Sequence, residues 1–106
     1  GAVAMGLSGA LLEEVVYDDE GQNLTGSFAD YSLATAVEIP PIEVVNLGTP
    51  SLGTPTGSKG MSEGGVMGAI GAVTNAVNDA LAPFGVTADS QPLSPPYLRS
   101  LLRGKT

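Results

Sequence analysis

Between Val66 and Leu81 the apolar residues Val66, Ile70, Val73, Val77 and Leu81 recur at steps of four, three, four and four, with Ala69, Ala72, Ala76 and Ala80 beside them. That spacing follows the helical period, so the stretch predicts an amphipathic helix whose narrow apolar seam is widened by small residues. Pro83-Phe84-Gly85 ends it. The helix emerges from a glycine-rich run, Gly57-Ser58-Lys59-Gly60-Met61-Ser62-Glu63-Gly64-Gly65, in which Glu63 is a lone carboxylate where loop becomes helix. By itself such a residue is most often a favourable first-turn acid and no more.

Other elements are arranged before and after this helix. Val3, Leu7, Ala10, Leu11 and Glu14 fall at helical spacing, which predicts a first helix over Ala2 to Glu14. Gly6 and Gly9 inside it each cost about 1 kcal/mol relative to alanine. Either another backbone or a ligand comes close there, or the first turn is frayed. Val15-Val16-Tyr17 is β-prone, Asp18 to Gln22 is a turn cluster containing Gly21, and Asn23 to Tyr31 supplies a return strand, which together predict a hairpin. Val37 to Leu47 alternates, with Ile42, Val44 and Asn46 on one face and Glu43, Val45 and Leu47 on the other, as in a strand that Pro40-Pro41 confines to an edge or starts outside the ladder. Gly48 to Ser58 is rich in glycine, proline, threonine and serine and reads as a long loop. Ser94 before Pro95 is a capping signal for a short last helix over Pro96 to Arg103. The expected fold class is therefore α+β: an N-terminal helix, a β-hairpin plus a further strand forming a small sheet, a long loop, an amphipathic helix and a short C-terminal helix.

A chain of 106 residues suits a single domain, 1–106, with a modest core. Its net charge of -7 argues against nucleic-acid backbones and anionic membranes as partners. The few cations are Lys59 and the trio Arg99, Arg103 and Lys105, at a spacing that suits the solvent side and end of the last helix. The chain has no cysteine and no histidine, which removes a protein-ligated zinc site, an iron–sulfur cluster, a thiol nucleophile and a Ser-His-Asp arrangement. No metal ligand set is expected. Apolar runs are too short to span a bilayer, and the N-terminus lacks a signal-peptide layout, so the expected location is cytoplasmic. A positive mean hydropathy of +0.21 with only 14% charged residues fits a piece that buries surface against more protein.

Common motifs fail on spacing. Lys59 beside Gly60 invites a phosphate-loop reading, but Gly53 is followed by three residues rather than four before Gly57-Ser58-Lys59-Gly60. Asp18, Asp19 and Glu20 are contiguous, with no glutamate at the twelfth position, so a solvated turn outweighs a calcium loop.

Four blocks in one order nevertheless resemble a known family. They are Gly6 to Asp18, then Gly21 to Leu33, then Pro41-Ile42-Glu43-Val44, then Lys59-Gly60-Met61-Ser62-Glu63-Gly64-Gly65. Together they look like the C-terminal part of the molybdopterin-binding large subunit of the molybdenum hydroxylases, the family of xanthine dehydrogenase, aldehyde oxidoreductase and aerobic carbon monoxide dehydrogenase. The resemblance implies that Glu63 matches the active-site glutamate, which deprotonates a molybdenum-bound water or hydroxide. It also implies that Lys59, Gly60, Ser62, Gly64 and Gly65 lie along the molybdopterin, where glycines let the backbone pass close to a bulky group. The implied partners are the remainder of the large subunit and iron–sulfur and flavin subunits. Ser62 stands where the family usually has glycine, Met5 where a cofactor-contacting glutamine is common, and Ala34 where a proline often stands. The family's other cofactor-enclosing segments are not among these residues, so no cofactor is expected on the isolated chain. The alternative is a stand-alone structural or interaction protein descended from that domain without its chemistry.

Overall fold

A computed structural model describes residues 1–103. Lys105, grouped above with Arg99 and Arg103, lies outside the described residues. The element order is α1 (Ala2–Leu11), α2 (Gly64–Leu81), a single 3-10 turn (Ala82–Phe84) and α3 (Pro95–Leu102). The sequence pattern places α2 and α3 within a residue or two of where they form, and α1 stops three residues before the expected end. Leu12 and Glu13 both donate their N–H to the Ser8 carbonyl, at 2.9 and 3.2 Å, and this shared acceptor closes the last turn.

The first two helices cross at small residues. A Cβ added to Gly6 would lie 2.7 Å from both the Ala69 Cβ and the Val66 carbonyl oxygen, and one added to Gly65 would lie 2.8 Å from the Ala2 Cβ. Gly6 is thus a packing glycine, the first of the two readings above, whereas Gly9 faces open space. This crossing sets the N-terminal turn of α2 directly against the start of α1.

Apolar burial is concentrated at the other end of α2. Leu81, Ala88 and Leu93 form the buried cluster, with Leu11, Val73, Val77, Leu98 and Leu101 packed on it. Ala88 carries no polar side chain, so its backbone is held by the Asn78 amide. The Ala88 N–H donates to Asn78 Oδ1 at 2.7 Å, and Asn78 Nδ2 donates to the Ala88 carbonyl at 3.1 Å. Leu93, 1% exposed, donates its N–H to the Ala10 carbonyl at 2.7 Å, which ties this cluster back to α1.

The expected α+β class is overturned: the described residues contain three α-helices and no strand or sheet. The hairpin reduces to one antiparallel bridge, Tyr17 with Asn23, around a turn whose Asp18 side chain accepts from the Glu20 and Gln22 N–H groups. Past the bridge the return arm is drawn off into its own turns. Asn23 Oδ1 takes the Thr25 N–H at 2.9 Å, and the Ser27 carbonyl takes the Tyr31 N–H at 2.8 Å, so the ladder ends. The Val37 to Leu47 stretch begins in a turn and carries no regular secondary structure from Pro40 on, and no neighbouring segment pairs with it among the described residues. Alternation specifies which side chains share a face. It does not supply the second strand that a ladder requires.

Candidate functional site

The junction of loop and helix at Glu63 is where the chain is open. Glu63 is the N-cap residue of α2, with φ -110° and ψ -2°, and its side chain makes no capping hydrogen bond. The Met67 N–H donates to the Glu63 carbonyl at 3.1 Å, which begins the helix. The N–H groups of Gly64, Gly65 and Val66 have no acceptor among the described residues, as expected of a first helical turn.

Two adjoining clefts meet at this residue. One, of about 620 Å³, is lined by Ala2, Met5, Ser62, Glu63, Val66 and Met67. The other, of about 350 Å³, is lined by Gly60, Met61, Ser62, Glu63, Gly64 and Met67. Glu63 is the one ionisable side chain in either lining. The chain's three methionines all stand around it. A thioether is polarisable and adaptable, so this rim can follow the shape of a flat apolar body while the carboxylate supplies one directed acceptor.

The structure brings Gly60, Ser62 and Gly64 together with Glu63 around these clefts. It does not place Lys59 or Gly65 in either lining. The Lys59 ammonium donates to Thr49 Oγ1 at 2.9 Å, which fastens the loop on the far side of Gly60. Gly65 meets α1 through Ala2. Gly60 has nothing within 4 Å of an added Cβ, and at Gly64 an added Cβ would meet only the Met61 thioether. Sequence reasoning passed over Ala2, Val66 and Met67. The signal for Met67 is its place four residues after Glu63, one turn along the same face.

Among the described residues no group of three or more His, Cys, Asp or Glu side chains could hold a metal ion. No described helix is long and apolar enough to cross a membrane. A separate pocket of about 350 Å³ beyond the end of α1 holds two carboxylates, Glu14 and Asp30. Asp30 is occupied by a 2.7 Å hydrogen bond from the Ser27 hydroxyl.

The comparisons with known proteins bear on the same residues. The molybdopterin cofactor-binding domain family matches residues 1–40, the α1 side of the cleft. The large subunit of nicotine 6-hydroxylase from Paenarthrobacter nicotinovorans is 44% identical over 95 residues, 90% of this chain and 12% of that protein. The chain belongs to the molybdenum hydroxylase large-subunit family. The carbon monoxide dehydrogenase large chain of Afipia carboxidovorans is 44% identical over 76% of the chain and 9% of its own length. Among solved structures, quinoline 2-oxidoreductase from Pseudomonas putida 86 superposes with a TM-score of 0.87 at 40% identity, over 99% of this chain and 13% of that one. The chain thus spans about an eighth of the length of these relatives. Over 99% of its length the chain superposes on one local portion of that much larger structure.

Proposed function

We propose that this chain supplies the catalytic carboxylate wall of a molybdenum hydroxylase, with Glu63 as the general base. A base must sit at the reacting centre with its lone pairs free. Glu63 lies at the meeting point of two clefts, without a capping bond and without a competing ionisable group in the lining, which supports that role. That observation carries the reading. Glu63 accepts, at a carboxylate oxygen, the proton of the oxygen nucleophile that attacks the substrate carbon.

The residues present fit molybdopterin as one wall of its site and not as a cage. The three N–H groups at the start of α2 that lack an acceptor among the described residues would offer matching polarity to an anionic group, and Gly60 leaves the backbone open to close approach. Ser62 adds a hydroxyl at the rim. When bound, the cofactor supplies the metal that takes up the substrate's electrons. Within the chain, Gly60, Ser62 and Gly64 border the cofactor side. Lys59 and Gly65 act one step back, Lys59 by fixing the loop and Gly65 by letting α1 close on α2. The relatives' substrates include nicotine and quinoline, which suits an apolar methionine rim to flat heteroaromatic molecules. The partners are the rest of the large subunit together with iron–sulfur and flavin subunits, in the cytoplasm, and the isolated chain is inactive.

The test is Glu63→Gln in the assembled enzyme. Turnover is expected to fall by a factor of roughly 100 to 10,000, the scale of general-base catalysis, with molybdenum content unchanged. Near-normal turnover would remove Glu63 from the base role. A second reading, a stand-alone interaction module, is favoured by Ser62 and Met5. Its signature is stoichiometric binding to a protein partner by a chain from a gene encoding these residues alone.

A further inference from the structure

We infer that Met61 and Gly64 are positioning residues for Glu63: the Met61 thioether, seated in the space that Gly64 leaves by having no side chain, holds the turn on which the carboxylate stands. The inference rests on the reading of Glu63 as the base. Met61 and Gly64 flank Glu63 in sequence, and Ser62 and Glu63 form a turn between them. A Cβ added to Gly64 would lie 2.6 Å from both Sδ and Cε of Met61 and 3.7 Å from its Cγ, so its three nearest neighbours are all Met61 atoms. The side chain therefore folds back over the turn and rests on the bare Cα of Gly64. Any residue larger than glycine at position 64 takes that seat.

Little else restrains the turn. The Glu63 side chain makes no capping hydrogen bond, and the N–H groups of Gly64 and Gly65 have no acceptor among the described residues. Upstream, the loop is fastened at Lys59, whose ammonium reaches Thr49 at 2.9 Å. Glu63 itself has φ -110° and ψ -2°, in the sparsely populated region between helix and strand, which persists where neighbours fix it. A catalytic group must be held to within about 0.5 Å of its productive place by side chains that are themselves packed. The Met61–Gly64 contact is the packed element at this turn, and Met61 is otherwise largely exposed, at 73%. Gly64 is not needed for its backbone angles, because it is not among the glycines with positive φ. Its role is the room it leaves for Met61.

Steady-state kinetics, molybdenum content and thermal unfolding of the assembled enzyme test this in Gly64→Ala, Met61→Ala and the double variant. Alanine favours a helix over glycine, so Gly64→Ala should keep or raise the Tm and keep the parent molybdenum content. Its kcat is nevertheless expected to fall at least about tenfold with KM within about threefold of the parent, as for a misplaced catalytic group. Met61→Ala should lower kcat similarly. The double variant should be no slower than Met61→Ala alone, because seat and occupant make one contact. Losses that multiply in the double variant would overturn the inference, since the added methyl would then act on something other than Met61. Parent-like kcat in Gly64→Ala, with Glu63→Gln strongly slowed, would overturn it and leave the base reading intact. Parent-like turnover in Glu63→Gln would instead remove the base, and the positioning role with it.

Discussion

Replacing Gly6 with alanine probes the contact that places α1 against the turn that carries Glu63. The new methyl carbon would stand 2.7 Å from the Ala69 Cβ and 2.7 Å from the Val66 carbonyl oxygen, and 3.3 Å from the Val66 Cα. Two of these three are backbone atoms, so no rotamer change relieves them and the helices must separate. Overpacking of this kind costs about 1–3 kcal/mol. Alanine returns up to about 1 kcal/mol through its better helix propensity. The expected balance is a loss of roughly 1–2 kcal/mol, or a Tm lowered by about 5–10 °C for a chain of this size. Gly9→Ala is the internal control. Gly9 has nothing within 4 Å of an added Cβ, so only the propensity gain applies, and stability should rise by about 0.5–1 kcal/mol. Both are read from thermal and urea unfolding followed by helical circular dichroism. If Gly6→Ala is as stable as the parent, the close crossing is absent and the geometry of the Glu63 cleft drawn from it fails.

Further outcomes follow from single contacts. Asn78→Asp keeps the acceptor for the Ala88 N–H but loses the donor to its carbonyl, so unfolding should show a loss of about 1–3 kcal/mol, larger for Asn78→Leu. Leu93→Ala empties the site of the largest fully buried side chain and should cost about 2–5 kcal/mol in the same assay. The Tyr31 hydroxyl donates to Glu13 Oε2 at 2.6 Å, and that bond, together with desolvation and the nearby negative charge, holds the phenol above its ordinary value of 10.0. Because the folded value is raised, the contribution is complete below pH 10 and is lost as pH climbs through the folded value. Ultraviolet titration should show one tyrosine ionising late, and Tyr31→Phe should remove that step. The Thr35 N–H and hydroxyl both donate to Glu38, at 2.7 and 2.6 Å, and lower its carboxyl below 4.5. With a depressed folded value, that turn is held above pH 4.5 and released as pH falls through the folded value; Thr35→Val removes the hydroxyl donor and keeps the N–H, so carboxyl chemical shifts should report a smaller depression.

What could be read from the residues alone divides along physical lines. The helices α2 and α3 were legible because period, proline position and the alanine flank are local properties, and local propensity was not overridden. The end of α1 was not, since Leu12 and Glu13 share one carbonyl and leave the helix despite continuing its pattern. The sheet was misread for a different reason. The Ile42–Leu47 alternation is genuine, yet pairing is a property of two segments, and no second one lies among the described residues. Gly60, Ser62, Glu63 and Gly64, named from the order of blocks, stand around the clefts, whereas Met67 and Ala2 required the crossing of α1 on α2 to be seen. Lys59 shows the limit from the other side: its neighbours in sequence line the cleft, but its ammonium is turned to Thr49.

The most direct test of the central claim is a single-turnover measurement on the assembled enzyme. The rate at which substrate reduces the molybdenum centre is compared between the parent and Glu63→Gln at equal cofactor loading. Glutamine preserves the size and the rim contacts but cannot take a proton. The account predicts a slowing of at least about 100-fold in that first step. A rate within about threefold of the parent would contradict it and would leave Glu63 as a helix-starting residue beside a site run by other groups.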